Sequence, residues 1–140
     1  MGGRSEKPCT MNDNDFYIYI SSKDFNGIDV CIPHETREGR WQLGLCEISY
    51  SKPKTNFPSI DICCNIISPN FEIQKSYQIL RRMPPQRANV TMRFNPILYS
   101  HVMTTSIKRM QLYLKTDAKN LSAFDGVTFY CTLHCRRCDE

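Results

Sequence analysis

The chain has 140 residues, 41% hydrophobic and 11% aromatic, and carries 18 Lys and Arg against 14 Asp and Glu for a net charge of +4. That length suits one domain able to bury roughly 68% of its unfolded surface, and the apolar content is too high and the net charge too low for a disordered chain. Eight prolines and few long apolar-periodic stretches favour strands and turns over helices.

Residues 1–14 read as a flexible polar arm and residues 15–140 as the domain. The first strand is Phe16–Ser21, whose alternation sets Phe16, Ile18 and Ile20 opposite Tyr17 and Tyr19. After an Asn26-Gly27 turn, Ile28–Ile32 alternates Ile28, Val30 and Ile32 with Asp29 and Cys31 until Pro33 stops it. Arg40–Tyr50 changes phase along its length: Trp41, Leu43 and Leu45 share one face, then Cys46, Ile48 and Tyr50 the other. A β-bulge near Cys46-Glu47, or a strand crossing between two sheet edges, accounts for the shift. Ser51–Pro58 is a polar, proline-containing connection.

Ile60–Ile67 is apolar enough to be buried on both faces or along most of one. Ser68-Pro69-Asn70 is a turn and Phe71–Lys75 a connecting segment. Tyr77–Met83 ends at Pro84-Pro85, and Val90–Tyr99 contains Pro96, which confines its second half to an edge or a bend. Ile107–Lys115 alternates Ile107, Arg109, Gln111 and Tyr113 against Lys108, Met110, Leu112 and Leu114. The last run, Val127–Arg137, follows an Ala123–Gly126 turn.

Eight strands segregated from helices predict an all-β sandwich or barrel. The architecture expected is an eight-stranded single jelly-roll sandwich of two four-stranded antiparallel sheets; an up-and-down barrel is the competitor, and the uneven connections weigh against it. The expected core is Phe16, Ile18, Trp41, Leu43, Leu45, Ile62, Leu112, Phe129 and Leu133. Trp41 and Tyr50 could instead stack on a ligand, but aromatic residues in alternating strands belong more readily to a core.

Cys131-x3-Cys135-x2-Cys138, with His134 inside it, holds the right ligand types for tetrahedral zinc. On a strand, however, Cys131 and Cys135 point one way and His134 the other, while the adjacent Cys63 and Cys64 face opposite sides. Buried thiols are therefore expected there, with no metal and no cofactor. His34, His101 and His134 have no signature beside a cysteine, the carboxylates show no paired spacing, and no Gly-rich phosphate loop occurs, so no catalytic residue is expected and the chain reads as a non-enzyme.

The N-terminal stretch lacks the apolar centre of a signal peptide, and Glu6 stands where myristoylation requires Ser or Thr. No apolar stretch approaches the ~20 residues of a membrane helix. The expectation is a protein made and kept inside the cell, without membrane insertion, its eight cysteines free thiols. Asn89-Val-Thr91 and Asn120-Leu-Ser122 match the glycosylation pattern, which means little without a secretory route. The basic pairs Arg81-Arg82, Lys108-Arg109 and Arg136-Arg137, with Arg87 and Arg93 nearby, put one charge on each strand face and form no single stripe. Solvated rims are expected, with weak, salt-dependent contact with packaged nucleic acid the sharper reading.

Taken in order, the runs resemble the small single-jelly-roll minor capsid, or penton, proteins of Polinton/Maverick elements and adintovirus-like DNA viruses. Gly39–Tyr50 is similar to that family's Gly-x-Trp-x-(Val/Leu)-x-Leu-x-Glu-Ile-x-Tyr segment, and Ile60–Ile67 followed by Gln78–Pro84 to its strand and Leu-Arg-x-x-Pro stretch. Tyr99, Ile107–Tyr113, Phe124-Asp-Gly126 and Leu133-His134-Cys135-Arg136 match the closing pattern, with Glu47-Ile48-x-Tyr50 and Leu133-His134-x-Arg136 the most distinctive pieces. The resemblance covers about residues 15–137; it departs at Pro53, displaced from the usual proline, and at Cys135, where an aromatic is usual. It implies a structural virion protein that forms homopentamers at icosahedral capsid vertices and contacts the major capsid protein. The alternative is a ligand-binding β-sandwich, lectin-like or cytokine-like, which would need a secretion route or a clustered aromatic platform; neither is evident in the sequence.

Overall fold

Alternating apolar and polar residues at period two build almost everything in this chain. The computed structural model describes residues 15–23, 27–32, 36, 38–52, 60–72, 75–84, 88–116 and 127–138. Among these there are strands and no helix: β1 (Asp15–Ser22), β2 (Ile28–Cys31), β3 (Trp41–Tyr50), β4 (Ile60–Cys64), β5 (Asn70–Glu72), β6 (Lys75–Tyr77), β7 (Ile79–Met83), β8 (Met92–Arg93), β9 (Tyr99–His101), β10 (Arg109–Thr116) and β11 (Phe129–Arg137).

They form a five-stranded sheet in the order β1-β11-β3-β8, with β9 also on β3, and a four-stranded sheet in the order β2-β10-β4-β7. β5 and β6 make a separate two-stranded ladder. All pairings of named strands are antiparallel. The result is an all-β molecule of two antiparallel sheets sharing one core, consistent with a β-sandwich.

Two expectations need correction. The sheets hold five and four strands, not four and four, because the run 90–99 is broken around Pro96. Its first part, β8, pairs with Glu47 and Ile48, and β9 pairs with Gln42–Gly44 of the same strand. Proline has no N–H to give a ladder, so the strand divides there and stays on the sheet edge. Of Phe71–Lys75, expected as a plain connection, Phe71, Glu72 and Lys75 belong to the β5–β6 ladder. Asn89, just ahead of the run 90–99, sits in a turn at φ 62°, where asparagine is tolerated better than most residues. The arm 1–14, Pro33, His34, Pro53, Pro58, Arg87 and the stretch 117–126, which includes Asn120, Ser122 and Phe124, lie outside the described residues.

The phase change in β3 is a bulge. Leu45 pairs with Leu133 and Glu47 with Thr132, so Cys46 is the extra residue between them. The consequence differs from a simple switch of faces. The added residue returns Ile48 and Tyr50 to the side already occupied by Trp41, Leu43 and Leu45, and all five are buried. β7 uses the same device: Ile62 pairs with Arg81 and Cys63 with Ile79, leaving Leu80 as the inserted, buried residue.

Both sheets feed the core. Phe16, Trp41, Leu43, Leu45, Phe129 and Leu133 come from the first sheet, and Ile60, Ile62, Met110, Leu112 and Leu114 from the second. Phe16 and Trp41 meet edge to face with ring centroids 5.5 Å apart, an arrangement the ring quadrupoles favour. Of the nine residues expected in the core, eight are buried and Ile18 is half-buried, packed against the cluster from edge strand β1. Each fully buried side chain of this kind contributes roughly 1.5–3 kcal/mol relative to exposure.

Candidate functional site

Register decides which side chains meet on the outer face of the five-stranded sheet. One row across it reads Tyr17, His134, Gly44 and Tyr99, from β1, β11, β3 and β9. A second reads Tyr19, Thr132, Glu47 and Arg93, and a third Ser21, Tyr130 and Ser49. Tyr17, Tyr19 and Tyr130 are 43%, 50% and 54% exposed, so three tyrosine rings stand on one outward surface.

His134 is the centre of the first row. Its ring stacks on Tyr17 at 4.5 Å between centroids and meets Tyr99 edge-on at 5.8 Å. Tyr99 Oη lies 2.7 Å from His134 Nδ1; with Nδ1 unprotonated the tyrosine hydroxyl donates and the imidazole accepts. Nε2 then carries the proton, 3.9 Å from Asp15 Oδ2. The Arg136 guanidinium covers the other ring, 3.5 Å from the Tyr99 centroid, while its Nε donates to Gln42 Oε1 at 2.8 Å.

Burial pushes the pKa of His134 down, outweighing the upward pull of Asp15, and Arg136 acts in the same downward direction. Burial likewise raises Tyr99, against the opposing pull of Arg136. The row is therefore built around a neutral imidazole and a neutral phenol.

Gly44 is what allows the row to close. A Cβ there would stand 2.5 Å from Ile97 Cγ2, 3.0 Å from Tyr99 Cδ1 and 3.1 Å from the Leu98 carbonyl oxygen. The missing side chain lets the 97–99 segment lie against β3, bringing Tyr99 within reach of His134. A glycine between two leucines in an otherwise bulky strand is the signal that could have found this approach. The tyrosine–histidine contacts themselves leave no local signal, because they join strands far apart in the chain.

The cysteines and histidine that resemble a zinc ligand set are separated as strand geometry requires. Cys131 and Cys135 face the core, opposite Ile20 and Ile48 and opposite Phe16 and Leu43, while His134 faces outward. Cys138 follows the strand and is half-buried. Among the described residues no three His, Cys, Asp or Glu side chains gather to hold a metal ion. Burial pushes the Cys131 and Cys135 thiols far above their ordinary value and raises Cys46 and Cys64 to about 11, so these four are thiols at neutral pH.

Most arginines expected as rim charges have local partners. Arg82 clamps Asp61 through two hydrogen bonds of 2.8 and 3.0 Å, Arg93 pairs with Glu47 at 3.2 Å, and Arg81 lies over Phe94 at 4.3 Å. Lys108 and Arg109 are exposed at the start of β10. No helix among the described residues is long and apolar enough to cross a membrane.

Fold and surface together define an all-β sandwich protein with an aromatic outer face on its larger sheet. Comparison of the chain with family models, with curated proteins and with solved structures returns no match.

Proposed function

We propose that this chain is a structural virion protein: a single jelly roll that forms homopentamers at the icosahedral vertices of a capsid and contacts the major capsid protein there. The observation that carries the reading is strand order. β1, β2, β3 and β4 alternate between the two sheets, β7 stays beside β4, and the chain then crosses to β8 and β9, back to β10 and finally to β11. β11 thus comes to lie between β1 and β3, and β10 between β2 and β4, an order that supports a jelly-roll wrapping once β8 and β9 are taken as one interrupted strand.

The sequence resemblance supports the same assignment. Its two most distinctive pieces, Glu47-Ile48-x-Tyr50 and Leu133-His134-x-Arg136, belong to neighbouring strands, β3 and β11. In both, the apolar members Ile48, Tyr50 and Leu133 are buried while Glu47, His134 and Arg136 lie on the outer face. A rigid sandwich of this kind can repeat by rotation, and a heterologous ring closes at the number its geometry dictates. That number, five, comes from the resemblance. The net charge of +4 is in keeping with weak, salt-sensitive contact with packaged DNA inside the particle.

Light scattering coupled to size exclusion tests the assembly. The expected species has five times the chain mass, growing in with concentration. A monomer at every concentration, including after mixing with the major capsid protein, would count decisively against the reading.

A further inference from the structure

The second and third rows of the outer face enclose an open groove of about 500 Å³. Tyr19 and Tyr130 stand on adjacent strands, diagonal to one another, Tyr19 opposite Thr132 and Tyr130 opposite both Ser21 and Ser49. Diagonal neighbours of this kind lie roughly 7–8 Å apart, so two half-exposed tyrosines line the groove together with the serine hydroxyls. Glu47 adds a carboxylate. Its Oε1 takes a hydrogen bond from Arg93 Nε at 3.2 Å, and its Oε2 takes one from Thr132 Oγ1 at 3.4 Å. The side chain still keeps 37% of its surface in solvent, so it retains accepting capacity.

The geometry points to a binding site for a neutral oligosaccharide, with pyranose rings stacked on Tyr19 and Tyr130 and their hydroxyls held by Ser21, Ser49 and Glu47. A pyranose ring is amphipathic in the matching way. Its faces carry C–H groups that pack on an aromatic ring, and its rim carries hydroxyls that need both donors and acceptors. The groove supplies both kinds: the serine hydroxyls donate and accept, Glu47 accepts, and Arg93 donates at the margin.

Charge narrows the ligand class. Glu47 and Arg93 neutralise one another, so among the described residues the groove has no surplus cation to hold phosphate or sulfate and no surplus anion to attract a basic peptide. Openness narrows it further, since a wholly apolar ligand would keep much of its surface in water while covering hydroxyls it cannot bond. This is the clustered aromatic platform that the sequence alone does not reveal, and it stands independently of the vertex assignment.

The test uses the full chain, ¹⁵N-labelled, titrated separately with cellohexaose, xylohexaose and chitohexaose and followed by amide shifts. The expected result is saturable shifts for at least one sugar, concentrated at Tyr19, Ser21, Ser49, Tyr130 and Thr132. Tyr130→Ala should weaken that binding about tenfold, the loss of one aromatic contact, and Glu47→Gln should weaken it less. Both positions are solvent-facing, so the variants should keep the wild-type amide spectrum away from the groove. Three results would overturn the proposal: no saturable shift with any of the three sugars, saturable shifts unaffected by Tyr130→Ala, or sugar-independent broadening of the groove amides with protein concentration. The last would mean that a second copy of the chain covers this face.

Discussion

The two sheets differ in what they do with their outer sides. On the four-stranded sheet the outward positions of β4 are sealed: Asp61 is 9% exposed and Cys63 fully buried, and the Asp61 carboxylate is held by both Arg82 hydrogen bonds. On the five-stranded sheet the corresponding side of β1 and β11 carries half-exposed tyrosines, a stacked histidine and a groove lined with hydroxyls. Both inner sides are alike, a continuous apolar layer. Burial is thus densest between the sheets and at β4, while large aromatic side chains stand exposed on β1 and β11.

Substitutions can break that contrast in graded steps. Trp41→Ala removes the largest fully buried side chain, at the inner layer both sheets share, and should cost about 3–5 kcal/mol. A urea midpoint close to wild type would refute its core role. Asp61→Ala attacks the sealed side of β4. It removes a charged, hydrogen-bonded group and should cost about 1.5–3 kcal/mol, toward the lower end because the Arg82 side chain is 51% exposed and can be solvated. Chemical denaturation of the single variant beside Arg82→Ala and the double variant separates the pair's coupling from the cost of an orphaned partner.

Gly44→Ala tests the open side. The added methyl meets Ile97, Tyr99 and a backbone carbonyl at once, so overpacking should cost about 1–3 kcal/mol. It should also part Tyr99 from His134, visible as changed imidazole resonances at constant pH. An alanine variant with unaltered stability and an unaltered His134 spectrum would mean that the 97–99 segment does not pack as described.

The smallest effect concerns pH. Because burial lowers the folded-state pKa of His134 below its ordinary 6.5, the unfolded chain binds the extra proton more readily. The neutral row is therefore at full strength above about pH 6.5 and loses stability as pH falls below that value toward the depressed folded-state pKa. Denaturation midpoints should drop more steeply between about pH 7 and pH 5 for the wild type than for His134→Gln, the carboxylates being common to both. Parallel pH profiles would contradict the buried, neutral histidine.

Local periodicity made much of the inner layer legible. Alternation in Phe16–Ser21 separated Phe16 and Ile20 from Tyr17 and Tyr19, and the phase change in Arg40–Tyr50 marked the bulge at Cys46. Alternation reports which residues share a side of one strand and nothing about which strand lies beside it. For that reason Tyr17, His134 and Tyr99 could not be brought together by reading, nor could Tyr19 and Tyr130 be set across one groove. The β5–β6 ladder is illegible for a different reason: strands of three residues are too short for alternation to show. In sequence His134 stands beside cysteines that face away from it in the fold, and its partners are aromatic rings on other strands.

The vertex assignment is tested most directly by imaging the purified full chain in negative stain at high protein concentration. Class averages should contain five-fold rings of sandwich-sized lobes. Averages holding only single lobes, with the major capsid protein added as well as without it, or rings of any other symmetry, would contradict it.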